Sequence, residues 1–225
     1  MNEAESLRFL ISELQQHMDA QRVRIAYQVA GSERHEVRFG GDASGWNADA
    51  ALATIGDAHQ LFSVFRALCN MRMPGPVSDR FLHVQDRLLQ NMTAEKGVTD
   101  ARSISRSAHD TRLSVWQGDI TTIRADAIVN AANAQMLGCF RPLHNCIDNQ
   151  IHTMAGVQLR NECADRLREM HVDELPVATP LVTRAYNLPA THVIHIAGPI
   201  VTGSLQASDE EKLAQCYMSC LDRAE

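Results

Sequence analysis

The chain has 225 residues, of which 45% are hydrophobic and 21% are charged, and its formal net charge at pH 7 is −6. This length fits one large domain, or one medium domain with an appendage. The acidic balance argues against a dominant nucleic-acid surface, and no run approaches the roughly 20 apolar residues that a membrane span needs.

The first 110 residues are predicted to form a mainly helical N-terminal extension. The start is acidic and helical in period, so it resembles neither a signal nor a transit peptide. A first helix is predicted over about 3–18 from apolar residues at helical spacing, which are Leu7, Leu10, Ile11, Leu14 and Met18. Residues 31–52 are Gly-rich and polar, which is typical of a loop. Two more helices are predicted near 58–71 and 78–92, the second with Ser78 as its N-cap.

Beyond residue 110 the pattern changes to short runs that are typical of strands. LSVWQ (113–117) alternates between apolar and polar residues, and ADAIVN (125–130) is a short apolar run suited to a buried strand. LVTRAYNLP (181–189) and HVIHIAGPIV (192–201) have the same character. Four strands are therefore predicted in this half of the chain.

Helices are predicted between and after these strands. Over 147–167 apolar residues recur every four positions, which indicates one helix that buries a stripe made of Ile147, Ile151, Ala155, Leu159, Cys163 and Leu167. A final helix is predicted after a capping box of Ser208 and Glu211. Strands alternating with helices predict a layered α/β domain over residues 111–225.

Residues 138–152, GCFRPLHNCIDNQIH, concentrate the side chains that carry chemistry. Cys139, His144 and Cys146 give the pattern C-x4-H-x-C, and thiolate and imidazole are preferred zinc ligands. Three protein ligands with one open position are typical of catalytic zinc. The alternative is that both cysteines are small buried hydrophobic residues and the histidine is a turn residue. His152 is interpreted as a satisfied helix histidine rather than a fourth ligand.

The same loop leads into the predicted helix near Asp148. The positive end of the helix dipole is expected to lower the thiol pKa of Cys146 and to favour an anion there. Asp148 is either a simple helix cap or, beside a metal, a general base. Six cysteines without an export signal indicate a reducing, cytoplasmic location, where clustered thiols point to metal binding or catalysis.

Several motifs, in order, make the chain resemble the zinc-dependent macrodomains, a family of protein ADP-ribosyl hydrolases. These are FSVFRALCNMRMPGPVSDRFLHVQDRLLQ (62–90), GDIT (118–121), DAIVNAAN (126–133), LGCFRPLHNCIDNQIHTMAGVQLR (137–160) and YNLPATHVIHIAGP (186–199). The GDI and NAAN motifs occur in macrodomains generally, whereas the C-F-x-P-x-H-x-C insertion is specific to the zinc branch. The resemblance implies a three-layer α/β/α fold with a mixed sheet after the helical N-terminal region.

The resemblance also assigns the ligand-binding and metal-binding residues of ADP-ribose recognition. Asp119 and the backbone of Ile120 would bind adenine, while Asn133, Asn130 and Gly138 would contact the rest of the ligand, the asparagines at the distal ribose. Zn²⁺ would be held by Cys139, His144 and Cys146, facing the scissile end of that ribose. Asp148, together with Asn133, would be catalytic. For either asparagine alone, turn formation after a strand is the default interpretation.

The sequence departs from the family at two places. Ala178 stands where the family usually has glycine. After the last predicted helix the family continues with a strand and a second glycine-rich loop, of the form S-T-G-V-F, whose amides cradle the diphosphate. Nothing similar lies in 200–225, so the C-terminal part of the macrodomain is expected to be missing from this chain. Unless a second polypeptide supplies it, affinity for ADP-ribose should suffer.

The leading functional hypothesis is therefore removal of ADP-ribose from mono-ADP-ribosylated proteins, with ester links at acidic side chains as substrates. The partners expected are ADP-ribose and ADP-ribosylated proteins, and neither nucleic acid nor membrane. The alternatives are an ADP-ribose-binding module without catalysis, an O-acetyl-ADP-ribose deacetylase, or a truncated inactive domain that interacts through its helical N-terminus.

Overall fold

The computed structural model describes residues 1–16, 23–27, 35–39 and 55–225, the two short internal segments by backbone alone. These residues group into two compact units. The first contains residues 1–88 with 140–144, and the second contains 89–139 with 145–225.

The first unit is mainly helical. Its elements are α1 (Glu3–Gln16), β1 (Val23–Tyr27), β2 (His35–Phe39), α2 (Ala58–Met71) and the first half of α3 (Asp79–Lys96). The apolar stripe of α1 packs against α2, and its members Leu7, Leu10, Ile11 and Leu14 are buried. Ser78 caps α3 as predicted, since its Oγ accepts from the Phe81 amide at 3.0 Å.

Part of the predicted loop over 31–52 was wrong. Residues 35–39, HEVRF, form β2, which pairs antiparallel with β1 and places Val23 opposite Phe39. Alternating apolar and polar residues favour an extended strand, and this short-range pattern prevails over the Gly-rich surroundings. Met18 and the remainder of 31–52 lie outside the described residues.

The second unit is built on a mixed sheet. Its elements are β3 (Thr99–Asp100), β4 (Ile123–Arg124), β5 (Ala127–Ala132), α4 (Ile147–Ala155), α5 (Val157–Glu169), β6 (Leu181–Arg184), β7 (His192–Ala197) and α6 (Ala207–Ala224), with short 3-10 turns at Ala101–Ser103 and Ile120–Thr122. The main sheet has the order β5-β7-β6, with β5 parallel and β6 antiparallel to the central strand β7. This unit is an α/β fold with a mixed sheet, and a helical N-terminal region precedes it, as the resemblance implied.

Helices cover both faces of this sheet, and alternation along β7 explains which residues face which helix. Ile194 and Ile196 pack with Cys216 and Cys220 of α6. Residues one position along a strand point to the opposite face, and there Ala197 joins a core cluster with Cys163 and Leu167 of α5. His195, also on that second face, is fully buried.

Three local predictions in this unit were wrong. LSVWQ is not a strand: it contributes one isolated bridge, from Arg106 to Ser114, and Val115 is 91% exposed. The helix over 147–167 is two helices, because Gly156 adopts φ 93° and ψ 174°, which no helix contains. The capping box of α6 is formed by Gln206 and Asp209, two residues before the predicted pair.

Ala178 adopts a left-handed backbone with φ 65°. Glycine enters this region without the steric cost that a Cβ imposes. The glycine that the family usually carries there is thus explained by the backbone, and Ala178 retains the conformation at some cost in strain.

In the part of the chain that the structure describes, no helix combines the length and the apolar character required to cross a membrane.

Candidate active site

The loop after β5 gathers the three predicted metal ligands. One ligand atom from each of Cys139, His144 and Cys146 lies within 4.8 Å of the others, and all three residues are half-buried. A turn bond from the His144 amide to the Arg141 carbonyl, at 3.2 Å, brings the imidazole back toward the cysteines. Two thiols and one imidazole at this separation fit a zinc ion, which prefers nitrogen and sulfur ligands.

Two residues of α2, for which no role was predicted, support this loop. Arg66 Nη2 donates to the His144 carbonyl at 2.9 Å. Asn70, 1% exposed, accepts the Leu143 amide on its Oδ1 at 3.1 Å. Leu143 has φ 55°, so the bond to Asn70 holds a backbone conformation that an unsupported leucine would leave. Arg66 and Asn70 therefore fix the backbone on which His144 sits.

The expected lowering of the Cys146 pKa was wrong. Burial raises the pKa of this thiol, and the facing Cys139 side chain and the charge of Asp148 raise it further. The helix does act in the predicted direction, since a backbone hydrogen bond with Asn149 at the start of α4 lowers the pKa, but this effect is the weaker one. Cys146 therefore favours the thiolate only when a cation is nearby.

Asp148 is the second residue of α4 and is 5% exposed. Its Oδ1 accepts from Asn130 Nδ2 at 2.8 Å and lies 3.5 Å from Nε2 of His152, one turn further along the helix. Burial raises the pKa of Asp148, while the bond from Asn130 and the charge of Arg160 act in the opposite direction. The carboxylate thus belongs to a buried polar network rather than to a solvated helix cap.

Asn130 connects Asp148 to the centre of the sheet. It is fully buried, and its Nδ2 lies 3.0 Å from Nδ1 of His195, its register partner on β7. The other ring nitrogen of His195 lies 3.0 Å from Thr183 Oγ1 and 3.7 Å from Cys163 Sγ. The contact between Asn130 and the ribose stays a prediction. The side-chain nitrogen of Asn130 already lies within hydrogen-bonding distance of Asp148 and His195.

His152, Cys163 and His195 also bring potential metal-ligating atoms within 4.8 Å of one another. A cation would have to displace an existing hydrogen-bond partner from His195. Burial, together with His195 and the positive charge of Arg160, already lowers the pKa of His152. The group is therefore better described as a buried neutral cluster in which His195 is the hydrogen-bonded histidine. The prediction that His152 is a satisfied helix histidine was wrong, since both ring nitrogens are buried and find no hydrogen-bond partner in the described part of the chain.

Asn133 and Gly138 precede the metal loop, residues 139–146, and are joined by a hydrogen bond. The Nδ2 of Asn133, which is exposed, donates to the Gly138 carbonyl at 3.1 Å. Gly138 is buried, with φ 79°, and packs on the His152 ring. The structure thus places Asn133 at the surface, where a sugar hydroxyl could reach it.

Asp119 lies on a separate part of this unit. It caps the 3-10 turn at Ile120–Thr122 by accepting from the Thr121 amide at 2.9 Å, and Lys96 Nζ contacts its second oxygen at 3.1 Å. Partial burial acts to raise the pKa of Asp119, but the bonds from Thr121 and Lys96 outweigh it and lower the pKa. The turn that contains Ile120 packs against α4, so the proposed adenine residues and Asp148 adjoin the same helix.

Comparison with known proteins agrees with this architecture. Residues 129–225 match the family profile described as "Macro domain". A Staphylococcus aureus protein, named "Protein-ADP-ribose hydrolase", is 42% identical over 180 residues, which are 80% of this chain and 66% of that protein. The chain belongs to the macrodomain family. A Treponema medium macrodomain relative with the same name is 45% identical over 164 residues, covering 72% of this chain and 62% of its own length.

The chain thus spans about two thirds or less of the curated relatives' length. Among solved structures, an Oceanobacillus iheyensis macrodomain with ADP is 38% identical, with a TM-score of 0.41, over 47% of this chain and 53% of that one.

Proposed function

We propose that this macrodomain is a zinc-dependent hydrolase that removes ADP-ribose from mono-ADP-ribosylated proteins, with ester links to acidic side chains as substrates. One observation carries the proposal. The loop that gathers Cys139, His144 and Cys146 leads directly into the helix that carries Asp148. Relatives at 42% and 45% identity with the name "Protein-ADP-ribose hydrolase" support the same reaction.

In this proposal some side chains of the protein bind the ligand and another transfers the proton. Asp119, beside the Ile120 backbone, accepts a hydrogen bond from the exocyclic amine of adenine. Asn133 orients the distal ribose through hydrogen bonds of its side-chain amide. Hydrolysis adds water across the ester, so a base must take one proton from the water and the leaving group must gain one. In this proposal Asp148 is the carboxylate that exchanges the proton.

Zinc, held by Cys139, His144 and Cys146, would supply a positive charge that polarises the ribose or its ester. Burial raises the pKa of the Cys146 thiol, so that thiol is protonated at neutral pH unless such a cation is bound, and metal binding releases its proton. A cytoplasmic location belongs to the proposal, because clustered thiols remain reduced there.

Turnover of a defined substrate tests the proposal. Purified protein is mixed with a carrier protein that bears radiolabelled mono-ADP-ribose, ester-linked in one preparation and serine-linked in another, and released label is counted. Ester-linked label should be released, and Cys146→Ala should abolish release, while Cys69→Ala, a cysteine outside the metal loop, should not. Full activity in Cys146→Ala would show that the mechanism is wrong.

ADP-ribose binding without turnover is the second candidate, and the burial of Asp148 favours it. The carboxylate is 5% exposed and one of its oxygens accepts from Asn130, so access for water is limited. Calorimetry with ADP-ribose, run beside the release assay, separates the two functions. A heat of binding with no release of label identifies a binding module.

A further inference from the structure

We propose that His195, on the central strand, is a positioning residue that sets the orientation of the Asn130 amide and through it the hydrogen bond to Asp148. The inference rests on the proposed function, in which Asp148 exchanges the proton. Asn130, Asp148 and His195 all lie in the second compact unit, and at most 5% of each is exposed.

The argument begins with the two ends of an amide, which differ in chemistry although they are alike in shape. The nitrogen carries two hydrogens and only donates, whereas the oxygen only accepts. A carboxylate oxygen accepts, so the nitrogen of Asn130 must face Asp148 Oδ1, 2.8 Å away. Among the residues that the structure describes, Asn130 Oδ1 has no hydrogen-bond partner, so no bond from them to that oxygen fixes the orientation.

His195 supplies the second restraint. Asn130 Nδ2 lies 3.0 Å from Nδ1 of His195, and a bond forms there only if that ring nitrogen accepts. His195 must therefore carry its proton on Nε2, and Thr183 Oγ1, 3.0 Å from Nε2, accepts it. A rotated Asn130 amide would place its oxygen against two acceptors, Nδ1 of His195 and the carboxylate, so the neutral Nε2–H tautomer excludes the rotation.

Burial keeps the ring in this state. It lowers the pKa of His195 to about 4, although the charge of Glu162 acts to raise it. A protonated ring would direct a second N–H at the amide of Asn130 and break the chain of bonds. The strand pairing that places Asn130 beside His195 thus connects the interior of the sheet to the carboxylate.

Two substitutions at His195 distinguish positioning of the Asn130 amide from a purely structural role of the histidine. The side-chain oxygen of asparagine occupies nearly the place of Nδ1, and the end of glutamine nearly that of Nε2. His195→Asn should therefore keep the acceptor for Asn130, with kcat within about threefold of wild type. His195→Gln should keep the Thr183 contact but lose that acceptor, and kcat should fall about tenfold, since bonds within charged networks carry that much free energy.

The experiment measures release of ADP-ribose from an ester-linked protein, together with the dissociation constant of free ADP-ribose for each folded variant. Positioning predicts that kcat changes while ADP-ribose affinity stays within about twofold, because Asn130 Nδ2 is already engaged within the protein and the proposed function assigns adenine to Asp119 and the ribose to Asn133. A purely structural role predicts the opposite order, since glutamine fills more of the histidine's volume than asparagine does. Equal or higher kcat in His195→Gln than in His195→Asn would overturn the inference.

Nitrogen-15 spectra of the wild-type imidazoles add a measurement that needs neither turnover nor a folded variant. The Nε2–H tautomer of His195 is expected, and an Nδ1–H tautomer would overturn the inference whatever the kinetics show. If the tautomer is as expected but wild-type protein releases no ADP-ribose, the proposed function fails and the catalytic part of this inference fails with it. Normal turnover with the reversed order of variants refutes the inference alone.

Discussion

Gly138 packs directly against the imidazole of His152. A Cβ built on Gly138 would lie 2.7 Å from His152 Cγ and 2.9 Å from His152 Nδ1, closer than a Cβ approaches other heavy atoms in proteins. The backbone of Gly138 also has φ 79°. The start of the loop that carries the metal ligands therefore packs on His152, whose Nε2 lies 3.5 Å from Asp148 Oδ1. A side chain at position 138 has no room.

Gly138→Ala is therefore expected to cost both steric overlap and backbone strain. The two effects together should lower the free energy of unfolding by about 2–4 kcal/mol. Chemical denaturation of the metal-free proteins measures the loss. Gly97→Ala is the matched control, because Gly97 has φ 85° with no atom near the added Cβ. Equal losses in the two variants would show that contact with His152 contributes nothing.

The support of the metal loop by α2 makes a second prediction. Asn70→Ala leaves the half-buried Leu143 amide without this acceptor, so the backbone before His144 should loosen. Loss of a residue that orients a metal ligand typically lowers metal affinity by about 10–100-fold, and a drop in that range is expected for zinc. Competition with a chromophoric chelator measures the affinity.

Asn91→Ala, an exposed asparagine on α3, is the control for this experiment. Its zinc affinity should equal that of wild type. Stability measured without metal separates loop support from general damage to the fold. If Asn70→Ala unfolds more readily but still binds zinc as wild type does, then Asn70 serves the core and not the metal loop.

The metal loop could be predicted from sequence because all its ligands lie within eight consecutive positions. One tight turn is enough to bring together Cys139, His144 and Cys146, so their spacing in the sequence alone predicts the cluster. Strands β5, β6 and β7 were likewise predicted because each is a short apolar run whose character is local. The C-terminal helix was predicted for the same reason, although its capping residues were displaced by two positions.

The buried network could not be predicted in this way. Asn130, Thr183 and His195 meet only through the register of three strands, and no short-range pattern specifies which residue of one strand faces which of another. A signal did exist, since a histidine inside the apolar run HVIHIA must find partners when it is buried. Similarly, Gly156 marked the break between α4 and α5, but the four-residue periodicity continued across it.

Asp119 leads to a prediction for ligand specificity. Asp119→Asn keeps a carbonyl oxygen for the Thr121 cap but removes the charge that would accept the adenine amine. Loss of a charge-assisted hydrogen bond should weaken ADP-ribose binding about tenfold or more. Calorimetry measures the change, and Asp126→Asn, whose side chain is 95% exposed, is the control. Unchanged affinity in Asp119→Asn would exclude this residue from the adenine site.

The buried histidines predict a loss of stability in acid. Burial lowers the pKa of His195 to about 4 and that of His152 well below its usual 6.5. Between these values and 6.5 the unfolded chain binds more protons than the folded one, so stability is fully present above pH 6.5 and declines as the pH falls. Each histidine contributes a slope of about 1.4 kcal/mol per pH unit within its window. Asp148, whose pKa is raised, contributes with the opposite sign.

His195→Gln removes one of these two titrations. Its unfolding free energy should therefore vary less steeply with pH between about 4 and 6.5 than that of wild type, by the contribution of one histidine. Denaturant titrations at several pH values measure both slopes. His109→Gln, which changes an exposed histidine of the segment before β4, should leave the slope as it is. If the slope of His195→Gln equals that of wild type, the imidazole of His195 is already charged in the folded protein, and the hydrogen bond it accepts from Asn130 does not exist.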